Sequence, residues 1–167
     1  MSQLGSVRIR PEAARDRQGV YALVCAAFGG TEEALLVQAL HDARDAEIAL
    51  VAEAAAGLVG HILFSRLDAP FPALALAPLA VAPGAQGQGV GSALIREGLQ
   101  RAARAGWRAV FVLGDPAYYQ RFGFDSGLAA GFASPYAGEH FMAIALDGPL
   151  PAGRGELRHP PAFATLG

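Results

Sequence analysis

Cysteine is almost missing from this chain. Cys25 is the one thiol, so no internal disulfide can form and no cysteine-rich metal cluster can be built, which fits a reducing compartment. The four histidines are scattered, and no metal is expected. Long hydrophobic runs are also lacking: Gly, Pro, Arg or Asp interrupts each apolar stretch before it reaches membrane-spanning length. Met1 to Arg10 has no basic start followed by an apolar block, so no secretory signal is read there and a cytoplasmic location without a membrane partner is expected. Positive charge is scarce as well. Thirteen basic residues against fifteen acidic ones leave a net charge of −2, whereas phosphate-backbone binding needs a concentrated basic surface. Nucleic acid is therefore not an expected partner, and Arg101, Arg104 and Arg108 are read as complementing the negative end of one helix dipole. There is no internal repeat, low-complexity linker or long charge run.

What the chain has in quantity is small and branched apolar residue. With 53% hydrophobic composition over 167 residues, one core and one domain spanning 1–167 are expected. Val7 to Arg10 reads as a short strand, and Pro11 as the opening of a helical segment in which Val20, Leu23, Val24, Ala27 and Phe28 recur at helix spacing, up to Gly29-Gly30. Thr31 is the expected N-cap of a second helix, with Glu32 and Glu33 in its first turn and Leu35, Leu36, Ala39 and Leu40 as its apolar face. Ile48 to Ala54 and Leu58 to Arg66 read as an antiparallel hairpin around Gly57. A third strand lies within Ala73 to Ala82, with an irregularity at Pro78, which cannot donate to a ladder. A helix from Val90 to Ala105 ends at Gly106, and a buried strand follows over Trp107 to Leu113. Asp115-Pro116 opens a short helix that Gly123 closes. Phe141 to Leu146 and a weaker segment near Glu156 to His159 supply further strands. The order predicts a mixed, mostly antiparallel α/β sheet with flanking helices and a central strand-helix-strand crossover.

Chemistry concentrates in Leu79-Ala80-Val81-Ala82-Pro83-Gly84-Ala85-Gln86-Gly87-Gln88-Gly89-Val90-Gly91-Ser92, where a strand runs into a loop of little side-chain bulk that opens a helix. A helix start offers unpartnered N–H groups and partial positive charge, so it can hold a pyrophosphate largely by main chain. Glycine lets that backbone approach closely. A nucleotide-hydrolysing loop needs Lys before Ser or Thr, and Gly91 precedes Ser92 with no lysine nearby. A dinucleotide loop needs a third small residue where Leu94 stands.

Gln86-Gly87-Gln88-Gly89-Val90-Gly91, with Val81-x-Pro83 upstream, resembles the Gln/Arg-x-x-Gly-x-Gly/Ala acyl-CoA loop of the GCN5-related N-acetyltransferase (GNAT) family. The resemblance implies that Leu79, Ala80 and Val81 face the pantetheine arm. It further implies that Gln86, Gly87, Gln88, Gly89, Val90, Gly91 and Ser92 hold the phosphates of acetyl-CoA as acyl donor. Gly114 to Phe124 resembles the family's Tyr-x-x-x-Gly-Phe segment, which implies that Tyr119 protonates the departing thiolate; Tyr118 is the rival. A phenol, with a pKa of about 10 against about 8.5 for a thiol, can supply that proton without ionising near neutrality. The wording around Tyr118 and a later His159-Pro160-Pro161-Ala162-Phe163 resemble a subgroup of predicted acetyltransferases with unassigned acceptors.

A base for the acceptor amine does not stand out. Leu74 to Ala82 is apolar or proline throughout, where many family members carry a carboxylate. Glu33 and His61 are candidates, each with an ordinary structural reading, and a water chain is the alternative. The oxyanion is expected to meet a backbone N–H near Val81. The implied activity is acetyl transfer from acetyl-CoA to a primary amine of a small molecule or protein. A non-catalytic acyl-CoA-binding module and an interaction protein are the competing readings, and homodimerisation through strand edges is open.

Overall fold

The computed structural model describes residues 5–165, so Met1 to Leu4 of the stretch read above for a signal lies outside the described residues. In chain order the elements are β1 (Arg8–Pro11), α1 (Arg17–Phe28), α2 (Glu32–Asp42), β2 (Ala46–Ala54), β3 (Gly57–Leu67), β4 (Ala73–Val81), α3 (Val90–Arg104), β5 (Ala109–Leu113), α4 (Pro116–Tyr119), α5 (Ser126–Ala129), β6 (Phe132–Ala133), β7 (Phe141–Ala145) and β8 (Gly155–Glu156). Among the described residues the main sheet runs β1-β2-β3-β4-β5-β7, and β6 pairs with β8. Every neighbouring pair in the main sheet is antiparallel except β4 with β5, which α3 connects as a crossover.

Pro11 closes β1 opposite Leu50 instead of opening a helix. The reason is Asp16, whose carboxylate accepts from the Ala13 N–H at 2.7 Å and from Arg10 Nη1 at 2.7 Å. Those bonds fold Ala14 to Asp16 into a tight turn, and α1 begins only after it. Gly29 ends α1 with φ +76°, a conformation that favours glycine. On α2 the buried stripe is Ala34, Leu36, Val37 and Leu40. Leu35, placed on the apolar face by its neighbours in sequence, is 51% exposed, because it sits about 100° round the helix from Leu36. The Thr31 side chain makes no cap hydrogen bond.

β4 carries the expected irregularity. Phe64 pairs with Leu76 and Ile62 with Leu79, so Ala77 and Pro78 together oppose the single residue Leu63. The sheet then splits one core into two layers. Val51, Leu63 and Phe111 face α1 and α2; Leu50, Ile62, Phe64 and Val110 face α3. Each fully buried Leu or Phe contributes about 1.5–3 kcal/mol of transfer free energy.

The placement of α3 decides where its N-terminus points. Glycine at two contacts lets the helix lie close on β3: a Cβ at Gly98 would stand 2.3 Å from Phe64 Cε1, and one at Gly60 would stand 2.8 Å from Val90 Cγ1. β4 and β5 pair only from Ala73 to Ala75 against Ala109 to Phe111. Beyond those pairs the strands separate, and the remaining length of β4 keeps β3 as its neighbour on one side only.

Candidate active site

The separation leaves backbone groups without ladder partners. Ala82 N–H donates to the Val59 carbonyl on β3 at 2.9 Å. Backbone groups alternate in direction along a strand, so those of Val81 and Leu79 point away from β3, toward the space that β5 has vacated. The Val81 carbonyl there accepts from Gln86 Nε2 at 3.3 Å.

A cavity of about 540 Å³ occupies this region. Its wall includes Leu79 and Val81 of β4, Gln86, Gly87 and Gly89 of the loop, and Val90, Gly91 and Ser92 of the first turn of α3. Gly87 and Gly89 adopt φ +77° and +84°, which turns the loop into the helix start without side-chain obstruction. The N–H groups of the first turn therefore face the cavity without helical partners. Two predicted residues stand apart from the wall. Ala80 is buried on the opposite side, among the residues beneath α1 and α2, and Gln88 turns its amide to the Gly84 carbonyl at 3.4 Å.

The other wall comes from the short α4. Asp115 caps it by accepting from the Ala117 N–H at 3.0 Å, with Pro116 at the first helical position. Tyr118 and Arg121 both line the cavity. The Arg121 guanidinium lies 4.9 Å from the Tyr118 ring centroid and donates to Ser92 Oγ at 3.0 Å. It is the single charged side chain on the wall, so the field there is positive, with α3's dipole adding to it. Sequence reasoning missed Arg121. The signal was its position three residues after Tyr118, which places both on one helical face.

Tyr119 is not on this wall. Its ring covers Gly114, where a Cβ would come within 2.5 Å of Tyr119 Cε2, and it meets Phe124 edge-on at 5.7 Å. Gly114 directly follows β5, so Tyr119 sits where β5 ends beside the gap. Burial, with a smaller contribution from Tyr118, pushes its phenol up to about 12. The Tyr118 hydroxyl instead lies at the α3 start, 2.8 Å from where a Gly91 Cβ would be.

The two base candidates separate clearly. Glu33 remains in the first turn of α2. His61 is fully buried and its Nε2 lies 2.7 Å from Glu12 Oε1, with His41 Nε2 3.3 Å from the same carboxylate. Burial would raise the Glu12 carboxyl, but hydrogen bonds and charge from His41 and His61 outweigh it and hold it at about 2. Neither His61 nor Glu33 lines the cavity.

A glycine loop at a helix start, a positive wall and a free strand edge form a receptacle for an anion carrying an extended neutral arm. The acetyltransferase (GNAT) family model matches residues 17–124. The chain belongs to the GNAT acetyltransferase family. Among its relatives are two Escherichia coli K12 proteins named as uncharacterized N-acetyltransferases. YjhQ is 42% identical over 119 residues, covering 66% of this chain and 65% of its own length. YhbS is 39% identical over 121 residues, covering 70% of this chain and 72% of its own. The crystal structure of E. coli YhbS in complex with CoA superposes with a TM-score of 0.90 at 32% identity, over 96% of this chain and 93% of that one. A GNAT acetyltransferase of Brucella melitensis in complex with acetyl-CoA gives 0.81 at 32% identity, over 95% and 98%. GNAT membership carries an enzyme class, that of acyltransferases drawing on acetyl-CoA. No helix among the described residues is long and apolar enough to cross a membrane.

Proposed function

We propose that this GNAT protein transfers the acetyl group of acetyl-CoA to a primary amine of a small molecule or protein, with the cofactor lying along the free edge of β4. The observation that supports this most is the coincidence of three features on one cavity: the exposed backbone of Leu79 and Val81, the glycine-lined start of α3, and Arg121. The pyrophosphate meets the N–H groups between Gln86 and Ser92 and the Arg121 cation. The pantetheine arm bonds to Leu79 and Val81 as an extra strand would. Since the phosphate loop follows β4, the thioester end points back along the strand toward Ala77 and the gap, where a backbone N–H near Val81 or before it receives the oxyanion.

Tyr119 is the acid in this reading. It stands beside Gly114 at the end of β5, and burial, which disfavours the phenolate, keeps its proton in place until the thiolate forms. Tyr118 is the second reading, since it is the phenol on the cavity wall, although its hydroxyl sits at the phosphate end. The working unit is one domain over 1–167 in the cytoplasm, without nucleic-acid or membrane partners, and β1 provides a sheet edge for a homodimer, the edge of β7 being bridged at Ala143 by Asp125.

One experiment tests both parts. Acetyl-CoA is expected to raise the thermal midpoint saturably, and Tyr119→Phe is expected to keep that shift while slowing CoA release about 10²-fold or more. Absence of a shift at saturating ligand overturns the cavity assignment. A shift without turnover on any amine establishes the non-catalytic module instead, and loss of turnover in Tyr118→Phe alone transfers the acid role to Tyr118.

A further inference from the structure

A second cavity, of about 170 Å³, fills the wedge between β4 and β5. It begins at Ala75 and Phe111, the last residues at which the strands pair, and continues past Ala77 and Leu113. Along β4 it is the next compartment after the cofactor cleft, on the side to which the thioester points. Its roof comes from Phe141 of β7 and from Tyr136, His159 and Phe163 of the C-terminal part.

Two facts distinguish this wall. It carries no charged group; Tyr136 and His159 are its polar side chains. The nearby Arg158 and Glu156 side chains, 73% and 69% exposed, pair with each other at 3.6 Å outside it. The His159 imidazole is caged by Tyr136, Phe163 and Phe141, with ring centroids 4.8, 5.6 and 6.1 Å away. Its Nε2 lies 3.3 Å from Ser134 Oγ, which also accepts from the Tyr136 N–H. Its Nδ1 is buried with no hydrogen-bond partner. A buried polar atom without a partner costs about 1–3 kcal/mol, and on a cavity wall a ligand can complete the bond.

We propose that this wedge cavity is the acceptor pocket, that it takes an apolar monoamine in its neutral form, and that His159 Nδ1 accepts the amine proton. The inference rests on the acetyltransferase reading above. The proposal requires the tautomer in which Nε2–H donates to Ser134 Oγ, which leaves the Nδ1 lone pair free. The amine lone pair forms the C–N bond at the thioester carbonyl as the C–S bond breaks. One N–H proton passes to Nδ1, the phenol proton passes to the thiolate, and solvent restores both groups. Burial lowers the His159 imidazole to about 4, so it is neutral, with its lone pair unprotonated, across the physiological range. The wall has no carboxylate to balance a second ammonium, and a polycation entering it would lose its hydration without compensation.

The experiment follows CoA release at saturating acetyl-CoA with phenethylamine, hexylamine, spermidine and a lysine-containing peptide. The two apolar monoamines are expected to give kcat/KM at least about tenfold above spermidine and the peptide. His159→Gln is expected to lower kcat on phenethylamine about 10²-fold while preserving the acetyl-CoA-induced thermal shift, and to remove the acidic limb from kcat measured at saturating amine, where the free amine's own ionisation does not enter. Preference for spermidine or the peptide overturns the acceptor class and leaves the acetyltransferase reading intact. Unchanged kcat and acidic limb in His159→Gln overturn the proton role. No release with any amine, despite a cofactor shift, overturns both readings.

Discussion

Two imidazoles, His61 fully buried and His159 half-buried, sit on the α1/α2 side of the sheet in opposite circumstances. Each leaves its Nδ1 without a hydrogen-bond partner, but His61 is enclosed beneath the helices and bonded to a carboxylate that also meets His41, whereas His159 stands among aromatic rings on a cavity wall with its other nitrogen on the neutral Ser134 hydroxyl. The first is joined to a charge that needs it, so its contribution is to hold β1, α2 and β3 together. The second lacks such a partner beside empty space, and that shortfall points to chemistry. An unpartnered nitrogen alone does not distinguish the two; the charge of the other nitrogen's partner and the adjoining cavity do.

The contrast is sharpest in what removal costs. His61→Leu strips Glu12 of its shortest hydrogen bond and leaves a buried carboxylate short of a partner, which is expected to lower unfolding free energy by on the order of 3 kcal/mol. Denaturant unfolding reads this, and KM for acetyl-CoA in the folded fraction should stay unchanged. A fall in kcat with unchanged stability would reverse the assignment of the two histidines.

The same division between support and site runs along α3. Gly98→Ala places a methyl 2.3 Å from Phe64 Cε1. Alanine gains about 1 kcal/mol of helix propensity, but displacing a fully buried ring costs about 1–3 kcal/mol, so a net loss of up to about 2 kcal/mol is expected, without selective loss of cofactor affinity. Gly91→Ala meets only the end of a side chain, Tyr118 Oη at 2.8 Å. It is expected to change stability by less than about 1 kcal/mol while weakening acetyl-CoA binding about tenfold, measured by titration calorimetry, since it narrows the phosphate cradle.

The sequence made one half of this picture legible. Period-two and period-3.6 patterns, Pro78, Gly106 and Asp115 marked nearly every strand, helix and stop, because each acts within a few residues of itself. The glycine-rich loop that opens α3 was legible for the same reason. Pro11 misled because Asp16, five residues later, binds Arg10 and the Ala13 N–H and delays the helix. Leu35 misled because apolar character does not specify which side of a helix meets the core. Glu12 with His61 and Ser134 with His159 were illegible as pairs: they are separated by 49 and 25 positions, and only the folded sheet brings them together. Arg121 lay within reach of local reasoning, by its spacing from Tyr118.

Acid offers the subtlest test, since the two sites lose stability in different pH windows. His159 has an ordinary value of 6.5 and a folded value of about 4, so the unfolded chain binds its proton first as pH falls. Stability from keeping this imidazole neutral is present above 6.5 and declines as pH falls toward 4. Glu12 has an ordinary value of 4.5 and a folded value of about 2. Here too the unfolded chain protonates first, but the stability lent by the ionised carboxylate is intact above 4.5 and is lost as pH falls through 2. Unfolding midpoints measured from pH 7 to 2 should therefore decline in two stages, and His159→Gln should flatten the stage between 6.5 and 4 alone. If His159→Gln leaves that upper stage unchanged, His159 is not the group that loses stability there, and its nitrogen no longer marks the wedge as the place of proton transfer.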